Sequence, residues 1–149
     1  MTSRENLAQL FDHTNLKPWA TAGEIDNLCQ EAIEYGFKTV CVYGYWVPFI
    51  KENYPDLKVA QVLNFPNGLS ASHVNTLAQI EDVDEYDIVM NLSKLKERKT
   101  DELIDELKAV KSYIGSKILK VIVETAVLTP DDLFTAIDIV ARSGADFIK

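Results

Sequence analysis

Short β-rich runs alternate with longer helical patterns along the whole chain, and no Pro-, Gly- or Ser-rich linker breaks the rhythm. This alternation limits the possible folds more than any other feature, because it implies βαβ units and a parallel sheet. The strand candidates are LFDHTNL (10–16), KTVCVYG (38–44), KVAQVLNF (58–65), EYDIVMNL (85–92), KILKVIVET (117–125) and DFIK (146–149). The first helix starts at Thr21, whose spacing to Glu24 is that of a capping box. Ile25, Leu28, Cys29, Ala32 and Ile33 form one apolar face, and Gly36 closes the helix. Further helices are expected over 45–54, with Pro48 in the first turn, and over 73–82 and 101–115. The last runs from 129 to 144, with Thr129 as cap, Pro130 at the first helical position and Gly144 at the end. The expectation is a single α/β domain over 1–149, with six parallel strands and five helices. The pattern alone is compatible with an open sheet or a barrel.

Strands buried on both faces should be apolar throughout, so the charges inside them need a reason. Asp87 shares a face with Val89 and Asn91, and Lys120 with Ile122 and Glu124. Lys149 has the parity of Phe147, while Asp12 and Thr14 have that of Leu10. The opposite face of the fifth strand, Leu119, Val121 and Val123, is purely apolar. In a barrel the polar faces converge on one interior, where Asp12, Asp87, Lys120, Glu124 and Lys149 would balance one another. Buried charges are paired, neutralised or used, and such gatherings mark functional sites. Taken singly, Asp87 also reads as a structural carboxylate, Lys120 as a snorkelling side chain and Lys149 as an ordinary solvated terminal lysine. Shared parity is the stronger signal.

Length and composition exclude several classes. A chain of 149 residues with 47% hydrophobic and 26% charged content is long and apolar enough for a real core. A net charge of −8 argues against a general nucleic-acid or anionic-membrane binder. No apolar run approaches the ~18 residues of a membrane span, and the polar N-terminus lacks a signal-peptide pattern; the plain reading is a cytoplasmic protein. Cys29 and Cys41 have no metal-ligand spacing and make no disulfide framework. Cys41 reads as a small core residue and His13 as a hydrogen-bonded structural histidine, its parity opposing Asp12. His73 reads as solvent-facing and the run KLKERK (94–99) as a solvated face. No GxGxxG, P-loop or HExxH motif is present.

Several ordered motifs then combine. FDHTNLKP, VCVY, FPNG, DEYDIVMN, LKVIVET and GADFIK occur in the order found in deoxyribose-phosphate aldolases, and the chain resembles that family over essentially its whole length. Asn64 stands where the family usually has glycine before its FP pair, and Asp82-Val83 where it has Gly-Ala. The resemblance implies a TIM (β/α)8 barrel and a class I aldolase that needs neither metal nor organic cofactor. It implies reversible cleavage of 2-deoxy-D-ribose 5-phosphate to acetaldehyde and D-glyceraldehyde 3-phosphate. By the same resemblance Lys149 forms the Schiff base, Asp87 belongs to the proton relay and Lys120 lines the site. Asp12 and Cys41 line the substrate. The implied partners are a small sugar phosphate and an aldehyde, with no nucleic acid or membrane, and a homo-oligomeric state.

The family continues past its Schiff-base lysine with a TSTG-like segment, a second catalytic lysine on a seventh strand and glycine-rich phosphate-holding loops. The expectation for these 149 residues is therefore a partial barrel lacking the last strands, weak as an aldolase and prone to self-association through its exposed edges. One alternative is a truncated, catalytically inactive fragment acting as a folding or assembly module. Another is that the sequence is part of a longer enzyme.

Overall fold

A computed structural model of the chain describes residues 7–69 and 83–149. They fall into two compact units: residues 7–62 with 83–84, and residues 63–69 with 85–149. The helix expected over 73–82, with His73 at its start, lies outside the described residues, as do the last three residues of the PNGLSAS loop (66–72).

In the first unit the order is β1 (Asp12–Thr14), α1 (Ala22–Tyr35), β2 (Thr39–Tyr43), α2 (Val47–Asn53) and β3 (Val59–Leu63). All pairings are parallel: Asp12 lies opposite Thr39 and Val40 opposite Val59. β1 is shorter than its expected span, although the Phe11 carbonyl still accepts from the Lys38 amide and the Asn15 amide donates to the Cys41 carbonyl, both at 3.1 Å. Helix α1 forms as its sequence dictates. The Thr21 hydroxyl accepts from the Glu24 amide at 3.3 Å, and the Glu24 carboxylate accepts from the Thr21 amide at 2.8 Å. Ile25, Leu28, Cys29 and Ala32 are buried. Gly36 ends the helix at φ 68°, a conformation that costs a residue with a Cβ.

The second unit contains β4 (Glu85–Val89), α3 (Leu92–Lys96), α4 (Thr100–Ile114), β5 (Ile118–Ile122), α5 (Pro130–Ser143) and β6 (Phe147–Ile148). Its strands pair in parallel in the order β4-β5-β6. Every residue of β4 is buried, as a parallel strand covered on both faces requires. Leu103, Leu107, Val110 and Ile114 recur at helical spacing on the buried face of α4. The loop before the undescribed segment packs tightly on β4. A Cβ on Gly68 would meet the Met90 carbonyl oxygen, and Gly68 has φ 67°.

Helix α3 was not expected. The KLKERK run conceals Leu95, which is fully buried and anchors one helical turn whose Asn91 cap accepts from the Lys94 amide at 3.1 Å. The cations are then tied down. Lys94 pairs with Glu106 and Glu102, Lys96 with Asp132 at 2.6 Å, and Arg98 with Asp131 and Asp132. Asp132 also closes the capping box of α5 by accepting from the Thr129 hydroxyl and amide.

A repeated device sets the strand entries in both units. Asp84 accepts from the Val59 amide at 2.9 Å and from Lys51 Nζ at 3.2 Å, while Lys51 also donates to the Leu57 carbonyl. Asp146 accepts from the Leu119 amide at 2.8 Å and from Lys111 Nζ at 2.6 Å, while Lys111 donates to the Lys117 carbonyl. In each case an aspartate just ahead of a strand grips the start of an earlier strand, and a lysine from the helix before that earlier strand completes the grip. Among the described residues no helix is long and apolar enough to cross a membrane.

Two outcomes follow from these contacts. Asp146→Ala strips the Leu119 amide of its acceptor and should cost about 1–3 kcal/mol in urea unfolding. The hydrogen bonds from Lys96 and Thr129 hold the Asp132 carboxyl well below the usual carboxylate range. A depressed folded value means that stability is present above the unfolded value and is lost as pH falls. Asp132→Asn should therefore lower the melting temperature at pH 7, and its difference from the wild type should shrink as pH drops below about 4.

Candidate active site

Strand register brings three of the expected residues together in the second unit. Asp87 of β4 lies opposite Lys120 of β5, and Lys120 lies opposite Phe147 of β6. Opposed residues of a parallel pair share a face, and Lys149, two positions on, returns to it. Lys149 is held at the strand end by its backbone: its amide donates to the Val121 carbonyl at 2.8 Å, and its carbonyl accepts from the Val123 amide at 3.0 Å.

The side chains form an alternating row of charge. Lys149 Nζ donates to Asp87 Oδ2 at 2.5 Å. Lys120 Nζ lies 3.4 Å from Asp87 Oδ1 and 2.5 Å from Glu85 Oε2. Asp87, Glu85 and Lys120 have side-chain exposures of 0, 2 and 8%, whereas Lys149 is 41% exposed. Two carboxylates thus face two ammonium groups, the inner three groups away from water and the outermost lysine open to it. A lysine that can pass its proton to a carboxylate at hydrogen-bond distance, and can also be reached from solvent, is equipped to attack a carbonyl.

Glu85 is the charged member that sequence reasoning did not single out, although it begins the EYDIVMNL run and has the parity of Asp87. Glu124 leaves the group it was expected to join. β5 ends at Ile122, and the chain turns at Glu124 with φ 51° into the 3-10 turn Thr125–Val127, so that its side chain is exposed.

The remaining candidates belong to the first unit. Asp12 Oδ1 accepts from the Thr39 hydroxyl at 2.7 Å, and Cys41 is fully buried in β2. His13 is a paired histidine: Nε2 lies 2.6 Å from Glu31 Oε2, and the ring stacks on Phe37 at 4.8 Å between centroids. It lines a surface cavity of about 580 Å³ together with Asn15, Lys17, Glu24, Asn27 and Glu31, a cavity that contains none of the four charges of the second unit. Burial pushes the Cys29 thiol up to about 11, helped by the nearby Asp26 charge. Among the described residues no group of three or more His, Cys, Asp or Glu is placed to hold a metal ion.

Comparison with known proteins decides the family. The chain is 41% identical over 152 residues to the deoxyribose-phosphate aldolase of Mycoplasmopsis synoviae (strain 53), covering 97% of this chain and 68% of that protein. The chain belongs to the deoxyribose-phosphate aldolase family. A second member, from Dictyoglomus turgidum (strain DSM 6724 / Z-1310), is 37% identical, with 99% of this chain and 70% of that protein covered. No protein-family model matches the chain. A deoxyribose phosphate aldolase from Aeropyrum pernix, described as a tetramer, superimposes with a TM-score of 0.84 at 27% identity, covering 99% of this chain and 65% of that one. A solved aldolase structure at 33% identity gives 0.87, covering 96% of this chain and 66% of that one. The chain thus spans less than two thirds of the solved structures and supplies six parallel strands of the deoxyribose-phosphate aldolase barrel.

The charge row makes a coupled prediction. Lys120→Met leaves two buried carboxylates short of a cation and should destabilise the chain by about 3–5 kcal/mol. The double variant Glu85→Gln/Lys120→Met removes a charge of each sign and should recover most of that loss. Chemical denaturation of the wild type, both single variants and the double variant closes the cycle.

Proposed function

We propose that the chain carries the Schiff-base part of a deoxyribose-phosphate aldolase site, with Lys149 as the nucleophile. The observation that carries this reading is the 2.5 Å contact between Lys149 Nζ and Asp87 Oδ2 at the C-terminal end of β6. Active sites of β/α barrels lie at that end of the strands. The names of relatives near 40% identity support the substrate class.

In this mechanism Asp87 takes the proton from Lys149, and the free amine attacks C1 of 2-deoxy-D-ribose 5-phosphate. Loss of water from the carbinolamine, with protons moved through Asp87, gives the iminium. Removal of the C3 hydroxyl proton then breaks the C2–C3 bond, and its electron pair flows into the iminium to form an enamine. D-Glyceraldehyde 3-phosphate departs. Protonation of the enamine and hydrolysis release acetaldehyde and return the lysine. Lys120, held 3.4 Å from Asp87, keeps a positive charge beside the relay.

Acetaldehyde with borohydride should place an ethyl group on Lys149 selectively, as read by peptide mass mapping. Lys149→Arg should abolish the adduct at that position, and Asp87→Asn should slow its formation about 10²-fold or more. Ethylation spread evenly over the surface lysines would sink the proposal.

A further inference from the structure

Glu85 has no part in the chemistry just described, yet it is a buried charge at the start of β4 on the same face as Asp87 and Lys120. Its carboxylate sits closer to Lys120 than Asp87 does, 2.5 Å against 3.4 Å. Asp87 meanwhile gives its other oxygen to Lys149 at 2.5 Å. A lone Lys120 beside Asp87 would compete with Lys149 for the same carboxylate. We infer that Glu85 is a positioning residue: it takes up the charge of Lys120, so that Asp87 is left to serve as the proton partner of Lys149. The role given to Asp87 rests on the aldolase reading, but the charge arrangement does not.

Among the described residues, the charges on the elements next to β6 have partners of their own. On the approach to β6, Asp146 is paired with Lys111. On α5, Asp131 and Asp132 are paired with Arg98 and Lys96, and Asp138 with Arg142. From β4 the groups on the reacting face are Glu85 and Asp87, and from β5 Lys120, with Glu124 exposed beyond the strand end. Among the described residues, Asp87, Lys120 and Glu85 are the charges that the strand register aligns with Lys149, and Glu85 sets how Lys120 and Asp87 divide.

Reductive methylation with formaldehyde and cyanoborohydride across a pH series, read lysine by lysine by mass spectrometry, measures the labelling midpoint of Lys149 without any turnover. Glu85→Gln should lower that midpoint by about one unit, making Lys149 about tenfold more reactive below it, because the released Lys120 cation draws on Asp87. Lys120→Met should move the midpoint the opposite way, and it supplies the reading if Glu85→Gln does not fold. The double variant Glu85→Gln/Lys120→Met should return Lys149 to its wild-type profile. A residue that merely props up β4 would not be rescued by deleting its partner. An unshifted midpoint in a folded single variant, or a shifted one in the double variant, overturns the inference. Borohydride trapping of the wild type separates the two readings. If acetaldehyde fails to modify Lys149, the aldolase proposal falls, while the methylation profile still decides the role of Glu85.

Discussion

A lysine in the central strand of β4-β5-β6 can stay buried only if carboxylates meet it from a neighbouring strand. Lys120 is that lysine, and Glu85 and Asp87 meet it from β4. Transfer of an unpaired ammonium from water would cost several kcal/mol, so the register of β4 against β5 and the pairing of these charges require each other. A slip of one residue would turn Asp87 toward the helices and leave Lys120 facing apolar neighbours. Glu85, Asp87 and Lys120 are almost wholly buried, which makes the pairing obligatory, and Lys149 completes the charge balance from β6.

Placing Lys149 depends on contacts far from its ammonium group. Asp146 ties the entry of β6 to the Leu119 amide and to Lys111, and from that fixed start strand parity carries residue 149 to the face of residue 120. The preceding helix is anchored at its own start by Thr129 and Asp132, with Lys96 of α3 and Arg98 just beyond it. The equivalent grip at Asp84 shows the same solution in the first unit. The placement of Lys149 thus comes from short polar anchors at the helix-to-strand junctions, where the backbone would otherwise be least constrained.

Much of this was legible from residue order. The capping boxes at Thr21 and Thr129 and the glycine stops at 36 and 144 are local signals, and they place α1 and α5 closely. Period-two alternation put Asp87, Lys120 and Lys149 on matching faces before any register was known. Three features were less legible. The helix α3 was hidden because a single buried leucine outweighs the charges around it. The length of β5 was overestimated, because nothing local shows that Glu124 takes a left-handed conformation and leaves the ladder. Glu85 was passed over because a glutamate at the first position of a strand looks like an exposed entry residue.

The amino-acid sequence by itself determined the alternation of strands and helices, the apolar faces that make the sheet parallel and covered, and the side of each strand on which its charges fall. These are properties of chain geometry with periods of two and 3.6 residues, and they need no partner. The tertiary structure alone decided which charges touch: that Lys120 turns chiefly to Glu85, that Asp87 is left to Lys149, and that Glu124 joins neither. Ion pairing depends on distances of a few ångströms between strands far apart in the chain, and these are set only when the register and the strand ends are in place.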